Sequence, residues 1–100
     1  MVPAGSTSVT ICAPKAHTLT SGYQMLVSAL NRLPTRPSTG SCSGTPEPSA
    51  PEYQLMFSYP EGPPVMVSIL IGCHPEIDNL ALQSNSASSI LPLIQQLLAG

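Results

Sequence analysis

Glu52-Tyr-Gln-Leu-Met-Phe-Ser-Tyr-Pro-Glu-Gly-Pro-Pro-Val-Met-Val-Ser-Ile-Leu-Ile-Gly-Cys73 decides the fold. Its first half alternates: Tyr53, Leu55, Phe57 and Tyr59 fall on one face of an extended chain, and Gln54, Met56 and Ser58 on the other. Pro60-Glu61-Gly62 supplies a turn, with a glycine free to take positive φ. The return run places Val65, Val67, Ile69 and Ile71 on one face and Met66, Ser68 and Leu70 on the other. The segment is therefore an expected β-hairpin, with its more apolar face toward a core. The second face, with Met56, Met66 and Leu70, is only half polar and is open to cover by a partner or by the Pro-rich loop.

Working outward, Ser8–Cys12 alternates around Val9 and Ile11 and reads as a short strand. Residues Met1–Thr7 before it read as a disordered lead, and Ala13–Ala16 after it as a loop around Pro14. Thr18–Leu33 has helical periodicity, with Tyr23, Leu26, Val27, Leu30 and Leu33 on one face, Thr20 or Ser21 as the cap, and Pro34 as the stop. Residues 34–51 form a loop rich in Pro, Ser, Thr and Gly that carries Cys42. Ile77–Gln83 is a possible further strand. Ser84–Ser89 is polar, and Ser88 or Ser89 caps a final helix bearing Ile90, Leu91, Ile94, Leu97 and Leu98. Pro92 in that helix is tolerated only within the first turn.

The expected architecture is one α+β domain over residues 8–100, in the order β-α-β-β-(β)-α. A small, mainly antiparallel sheet of three or four strands carries two helices on one face. At 100 residues, such a domain buries about 60–65% of its unfolded surface, so a covalent tie would matter.

Three cysteines allow one disulfide and one thiol. Cys42 precedes the first hairpin strand and Cys73 follows the second, so both belong at the same end of the sheet. If strand Ser8–Cys12 runs parallel to Tyr53–Tyr59 through a helical crossover, Cys12 lies at the opposite end. That geometry favours Cys42–Cys73. Cys12–Cys73 requires the first strand to run the other way, and three packed thiols are a further alternative.

Charged residues make up 8% of the chain, three Lys or Arg against five Asp or Glu, for a net charge of −2. Nucleic acid is not an expected partner of so weakly charged a surface. No apolar run approaches the ~20 residues that span a bilayer, so no membrane insertion is expected. The N-terminus lacks the basic and apolar regions of a signal peptide. Cysteine usage and the Lys-poor, Ser/Thr/Pro-rich composition still favour an extracytoplasmic or secreted protein over the cytoplasmic alternative.

Catalytic and metal signals are weak. Cys12-x4-His17 and Cys73-His74 lack the spacing of structural zinc sites, so no metal is expected. His74, Glu76 and Asp78 could form a triad with one of many serines, but no G-x-S-x-G elbow accompanies them. There is no G-x-G-x-x-G, Walker motif or C-x-x-C. Lys15 near Cys12 is a slight hint of an activated thiol. No catalytic residue, cofactor or enzymatic activity is expected.

Val-Thr-Ile-Cys12, Leu30-Asn-Arg-Leu-Pro34, Tyr53-x-Leu55-x-Phe57-x-Tyr59-Pro60-x-Gly62, and Gly72-Cys73 followed by Asn79 resemble small secreted or lipoprotein-like domains of actinobacteria without an assigned function. The resemblance covers most of residues 8–98. It implies an extracytoplasmic location, supports a disulfide and implies no activity. A looser likeness is to the subtilisin-inhibitor family of the same bacteria, through Cys12-Ala13-Pro14 and the Cys42…Cys73 spacing. A second cysteine in the helical region is missing, and Ser41-Cys42-Ser43-Gly44-Thr45 lacks a reactive-site pattern, so no inhibitory residue carries over.

The expected function is a non-enzymatic binding or structural module at the cell envelope, monomeric or weakly dimeric, with a protein or envelope partner. The alternative is a serine-protease inhibitor presenting residues 34–51.

Overall fold

The computed structural model describes residues 1–40, 42–45 and 52–99. Of the Pro-rich loop, Ser41 and residues 46–51 lie outside that description. The hairpin forms as the alternation dictates, from β4 (Glu52–Ser58) and β5 (Val65–Leu70), paired Glu52 to Leu70 through Phe57 to Val65. Leu55, Phe57, Val67 and Ile69 are fully buried and Tyr53 nearly so, placing the predicted apolar face on the core.

The sheet is larger than expected. β1 (Ser8–Cys12), β2 (Ala16–Leu19), β3 (Arg36–Pro37), β6 (Ile77–Asp78) and β7 (Leu82–Ser84) join the hairpin in the order β2-β1-β4-β5-β6-β7-β3. All pairings are antiparallel. Among the described residues, seven strands replace the three or four read from the sequence. The α+β class holds, while the strand count and order are corrected.

The first correction is β2. Residues 18 and 19, expected to start a helix, instead fold back on β1, with Thr18 opposite Thr10 and their hydroxyls 3.0 Å apart. The helix α1 is Gln24–Arg32. Gly22 takes φ +79°, which a helix cannot continue through, so neither Thr20 nor Ser21 caps it. Tyr23 stands at the N-cap without a side-chain cap, and its carbonyl accepts the N–H groups of Leu26 and Val27. The second correction is direction. β1 runs antiparallel to β4, because the chain reverses at the β1–β2 turn before it enters α1, so β2 and not β1 is the strand parallel to β4. Two further strands come from Ile77–Gln83 and its surroundings, which make a hairpin rather than one strand. Arg36–Pro37, read as loop, pairs with β7 at the sheet edge.

Val9 and Ile11 of β1 lie opposite Phe57 and Leu55 and share their face. Leu26 and Leu30 of α1, and Ile90 and Ile94 from the start of α2 (Leu91–Ala99), complete one core with them, so both helices cover the same face. Pro92 sits in the first turn of α2, as its missing N–H requires. The Ala87 carbonyl accepts Ile90 and Leu91, and Ser86 Oγ accepts Ser88 N.

Residues 1–7, read above as a lead, are tied to this body. Val2 is buried, Asn31 bonds both the N–H and the carbonyl of Val2, and Asn79 Nδ2 donates to the Met1 carbonyl at 2.7 Å. Tyr59 Oη donates to the Pro3 carbonyl at 2.7 Å. Burial, and then the proximity of Tyr23, push the Tyr59 pKa above 10.0. A phenol held neutral in the folded protein contributes stability below the unfolded pKa of about 10, and that contribution is lost as pH rises through the folded value. Tyr59→Phe therefore flattens the alkaline limb of a stability profile recorded between about pH 9 and 11.5. An unchanged slope would refute the assignment.

Candidate functional site

The open face of the sheet is covered at one end by the start of the Pro-rich loop. Ser38 Oγ donates to Asp78 Oδ2 at 3.0 Å, and the Thr39 N–H donates to Gln83 Oε1 at 3.0 Å. Cys42 is bonded to Cys73 across a Cα separation of 5.3 Å and a sequence separation of 31 residues. Ser43 and His74 add a two-way backbone bridge, at 3.1 and 2.8 Å. Gly44 packs so closely that a Cβ there would lie 2.9 Å from the Gly72 carbonyl oxygen. The strap roofs a cavity of about 190 Å³ floored by Ser68, Leu70 and Asp78.

The pairing has a different geometric basis from the one read in sequence. Because β1 is antiparallel to β4, with Cys12 opposite Gln54, Cys12 lies at the same end of the sheet as Cys73. What separates them is lateral. β1 and β5 flank β4, so about 9–10 Å lies between their axes, and a disulfide tolerates about 7 Å between Cα atoms. Cys12 is a free, half-buried thiol.

Cys73, Glu76 and Asp78 are engaged in holding the chain, while Cys12 and His17 are kept apart. Cys12 and His17 lie on opposite faces of the β1–β2 pair, since Ile11, not Cys12, is opposite His17. Cys73 is consumed in the disulfide. Glu76 accepts the N–H of Ala87 at 2.9 Å and that of Gly72 at 3.2 Å, stitching the β5–β6 turn to the start of α2. Asp78 accepts the Leu80 N–H and the Ser38 hydroxyl. Both carboxylates are thus committed to local chain geometry, and His74 joins the strap through its backbone. Among the described residues no three His, Cys, Asp or Glu side chains converge on a metal position, and no helix is long and apolar enough to cross a membrane.

A cleft of about 560 Å³ lies at the end of the sheet where the β4–β5 and β6–β7 turns meet the N-terminal segment. Val2, Pro64, Met66, Leu80 and Leu82 give it a mainly apolar lining. Its lip is Leu80, 82% exposed and at φ +74°. Such a conformation is unusual for leucine, and it is enforced by neighbours. Asn79 Oδ1 accepts the N–H groups of Ala81 and Leu82 at 2.9 and 2.6 Å, while Asp78 Oδ1 accepts that of Leu80 at 2.8 Å. The polar side chains at the cleft are occupied by backbone, so they hold its shape rather than meet a ligand. Leu80 was legible only as a candidate strand residue. The Asp78-Asn79 pair, both turn formers, was the available signal for a loop tip.

Leu80→Gly relieves the positive φ and raises stability by about 0.5–1 kcal/mol less the added chain entropy of glycine, for a net change near zero or slightly stabilising. A loss above about 1.5 kcal/mol in urea unfolding would show that Leu80 packs rather than projects.

Comparison with protein-family models, with curated proteins and with solved structures finds no match to this chain.

Proposed function

We propose that this chain is a non-enzymatic, extracytoplasmic module that acts by binding at the cell envelope. The observation that carries the binding half is the cleft lipped by Leu80. A large apolar side chain is held in an unfavourable backbone conformation, at high exposure, beside an apolar depression. Strain of this kind persists where neighbours over-determine it, and exposed apolar surface of this kind marks contact sites. The Cys42–Cys73 bond supports the location, because structural disulfides persist in oxidising compartments. The likeness to small secreted actinobacterial domains points the same way. The engagement of Glu76 by backbone N–H groups, and of Asp78 by a backbone N–H and the Ser38 hydroxyl, favours a structural over an acid–base role for both.

The test is retention of envelope components by immobilised protein, compared with Leu80→Gly and Met66→Ser variants that remain folded. Loss of a specific component in both variants supports the reading. Identical retention by all three would remove the cleft from it. Serine-protease inhibition, lost on cleavage within residues 36–50, would instead favour the inhibitor alternative; residues 41 and 46–51 of that loop lie outside the described structure.

A further inference from the structure

Where α1 ends and α2 begins, a polar groove runs past the end of β7. Two adjoining hollows of about 130 and 220 Å³ share Pro34, Ser84 and Asn85. The first is bounded by Arg36, the second by Ser88 and Ser89 just before α2. Ser84 is the telling residue. It lies opposite Ile77, hence on the helix side of the sheet, and is only 5% exposed. Its hydroxyl has no hydrogen-bond partner among the described residues. No fully enclosed polar side-chain atom among them lacks a partner, so this hydroxyl keeps an opening, and the groove is the space that Ser84 lines. A nearly buried hydroxyl without a protein partner is costly, and the cost is relieved by a partner from outside.

We propose that this groove is an oxyanion site that takes a phosphate group. Its free groups are donors. Arg36 gives one N–H to Asn85 Oδ1 at 3.2 Å and meets no carboxylate among the described residues, so the rest of its planar fork is free for an anion. The same bond leaves Asn85 Nδ2 unpaired. Before α2, the N–H groups of Ile90 and Leu91 go to the Ala87 carbonyl and that of Ser88 to Ser86 Oγ, which leaves the Ser89 N–H over. The nine-residue α2 adds the positive end of its dipole at the same place. Among the described residues no Asp or Glu lines the groove. Glu76, which approaches the start of α2, has its oxygens on the N–H groups of Ala87 and Gly72. An apolar ligand would leave the groove's donors unpaired, and a cation would be repelled by them. Hollows of this size admit a group of several water volumes, about 30 Å³ each, which suits a phosphate. A free phosphate and a phospholipid head group both present that chemistry.

The experiment is an amide chemical-shift titration of the full chain with inorganic phosphate, against sodium chloride of matched ionic strength. The expected result is saturable shifts at Ser84, Asn85, Ser88 and Ser89 in phosphate alone, with a Kd on the order of 1–10 mM. Arg36→Gln weakens binding about tenfold and Ser84→Ala about fivefold. Ser84→Ala is the sharper variant: a hydroxyl without a protein partner holds no structure, so affinity falls while thermal stability stays at the wild-type value. Should Arg36→Gln fail to fold, Ser84→Ala decides. Failure to saturate by about 50 mM, shifts that chloride reproduces, or wild-type affinity in a folded variant of either kind would overturn the proposal. Co-sedimentation with phosphatidylcholine vesicles, with and without phosphatidylglycerol, separates the two sources. Capture by the phosphatidylglycerol vesicles that Ser84→Ala weakens assigns the lipid head group; with the titration positive, its absence assigns a soluble phosphate.

Discussion

Replacing Cys42 and Cys73 together with alanine lowers the stability of this protein by about 3–4 kcal/mol, the closure entropy of a loop of this length. The bond closes a 31-residue separation, so the unfolded chain loses considerable freedom by carrying it. A domain of this size has about 5–15 kcal/mol in total, so the loss is a large fraction. In thermal unfolding it corresponds to a fall in Tm of roughly 15–30 °C. The effect also has a local part. Without the bond, hydrogen bonds such as Ser43–His74, Ser38–Asp78 and Thr39–Gln83 must hold the strap, and exchange of the Ser43 and His74 amides should accelerate more than that of β4 and β5. A double variant within about 1 kcal/mol of wild type would mean that the strap is not an element of the fold.

Phe57→Ala carries the other large effect, a loss of about 3–5 kcal/mol. Phe57 is fully buried, its ring centroid 6.3 Å from that of Tyr23 at 51°, and it lies opposite both Val9 and Val65. Its removal opens a cavity where β1, the hairpin and the N-terminus of α1 meet, and rigid neighbours relax only partly into such space. The control is Met66→Ala. Met66 projects from the opposite face at 38% exposure, and its truncation should cost under about 1 kcal/mol. Urea unfolding of the two variants reads the sidedness of the hairpin directly. Equal losses would contradict the single core face.

What could be read in advance follows from what periodicity reports. Alternation and helical spacing record burial on one side, so β4, β5, β1 and both amphipathic helices were visible through Leu55, Val67, Val9, Leu26 and Ile94. Ala16-His-Thr-Leu19 buries almost nothing at the sheet edge, and nothing in its pattern separates it from the helix that follows. Gly22 was the residue that separates them. Arg36–Pro37 is invisible for a similar reason, being two exposed residues, one a proline, recruited by β7. The Ile77–Gln83 hairpin was hidden because Leu80 looks like a strand residue and is a turn residue. Its placement depends on two side-chain carboxyl or amide oxygens, not on hydrophobicity. A parallel β1 is the wrong basis for the cysteine pairing: β1 is antiparallel, and lateral distance across the sheet is what separates Cys12 from Cys73. The cleft itself was not legible, since it arises where residues 2, 66 and 80 meet.

The strap is the element on which the fold at the open face and the proposed location both depend, and its test is a cysteine map. Alkylation of the native, oxidised protein followed by non-reducing peptide mass mapping should label Cys12 alone and recover one linked pair, Cys42 with Cys73. Two or three alkylated cysteines, or any linkage that includes Cys12, would contradict the account.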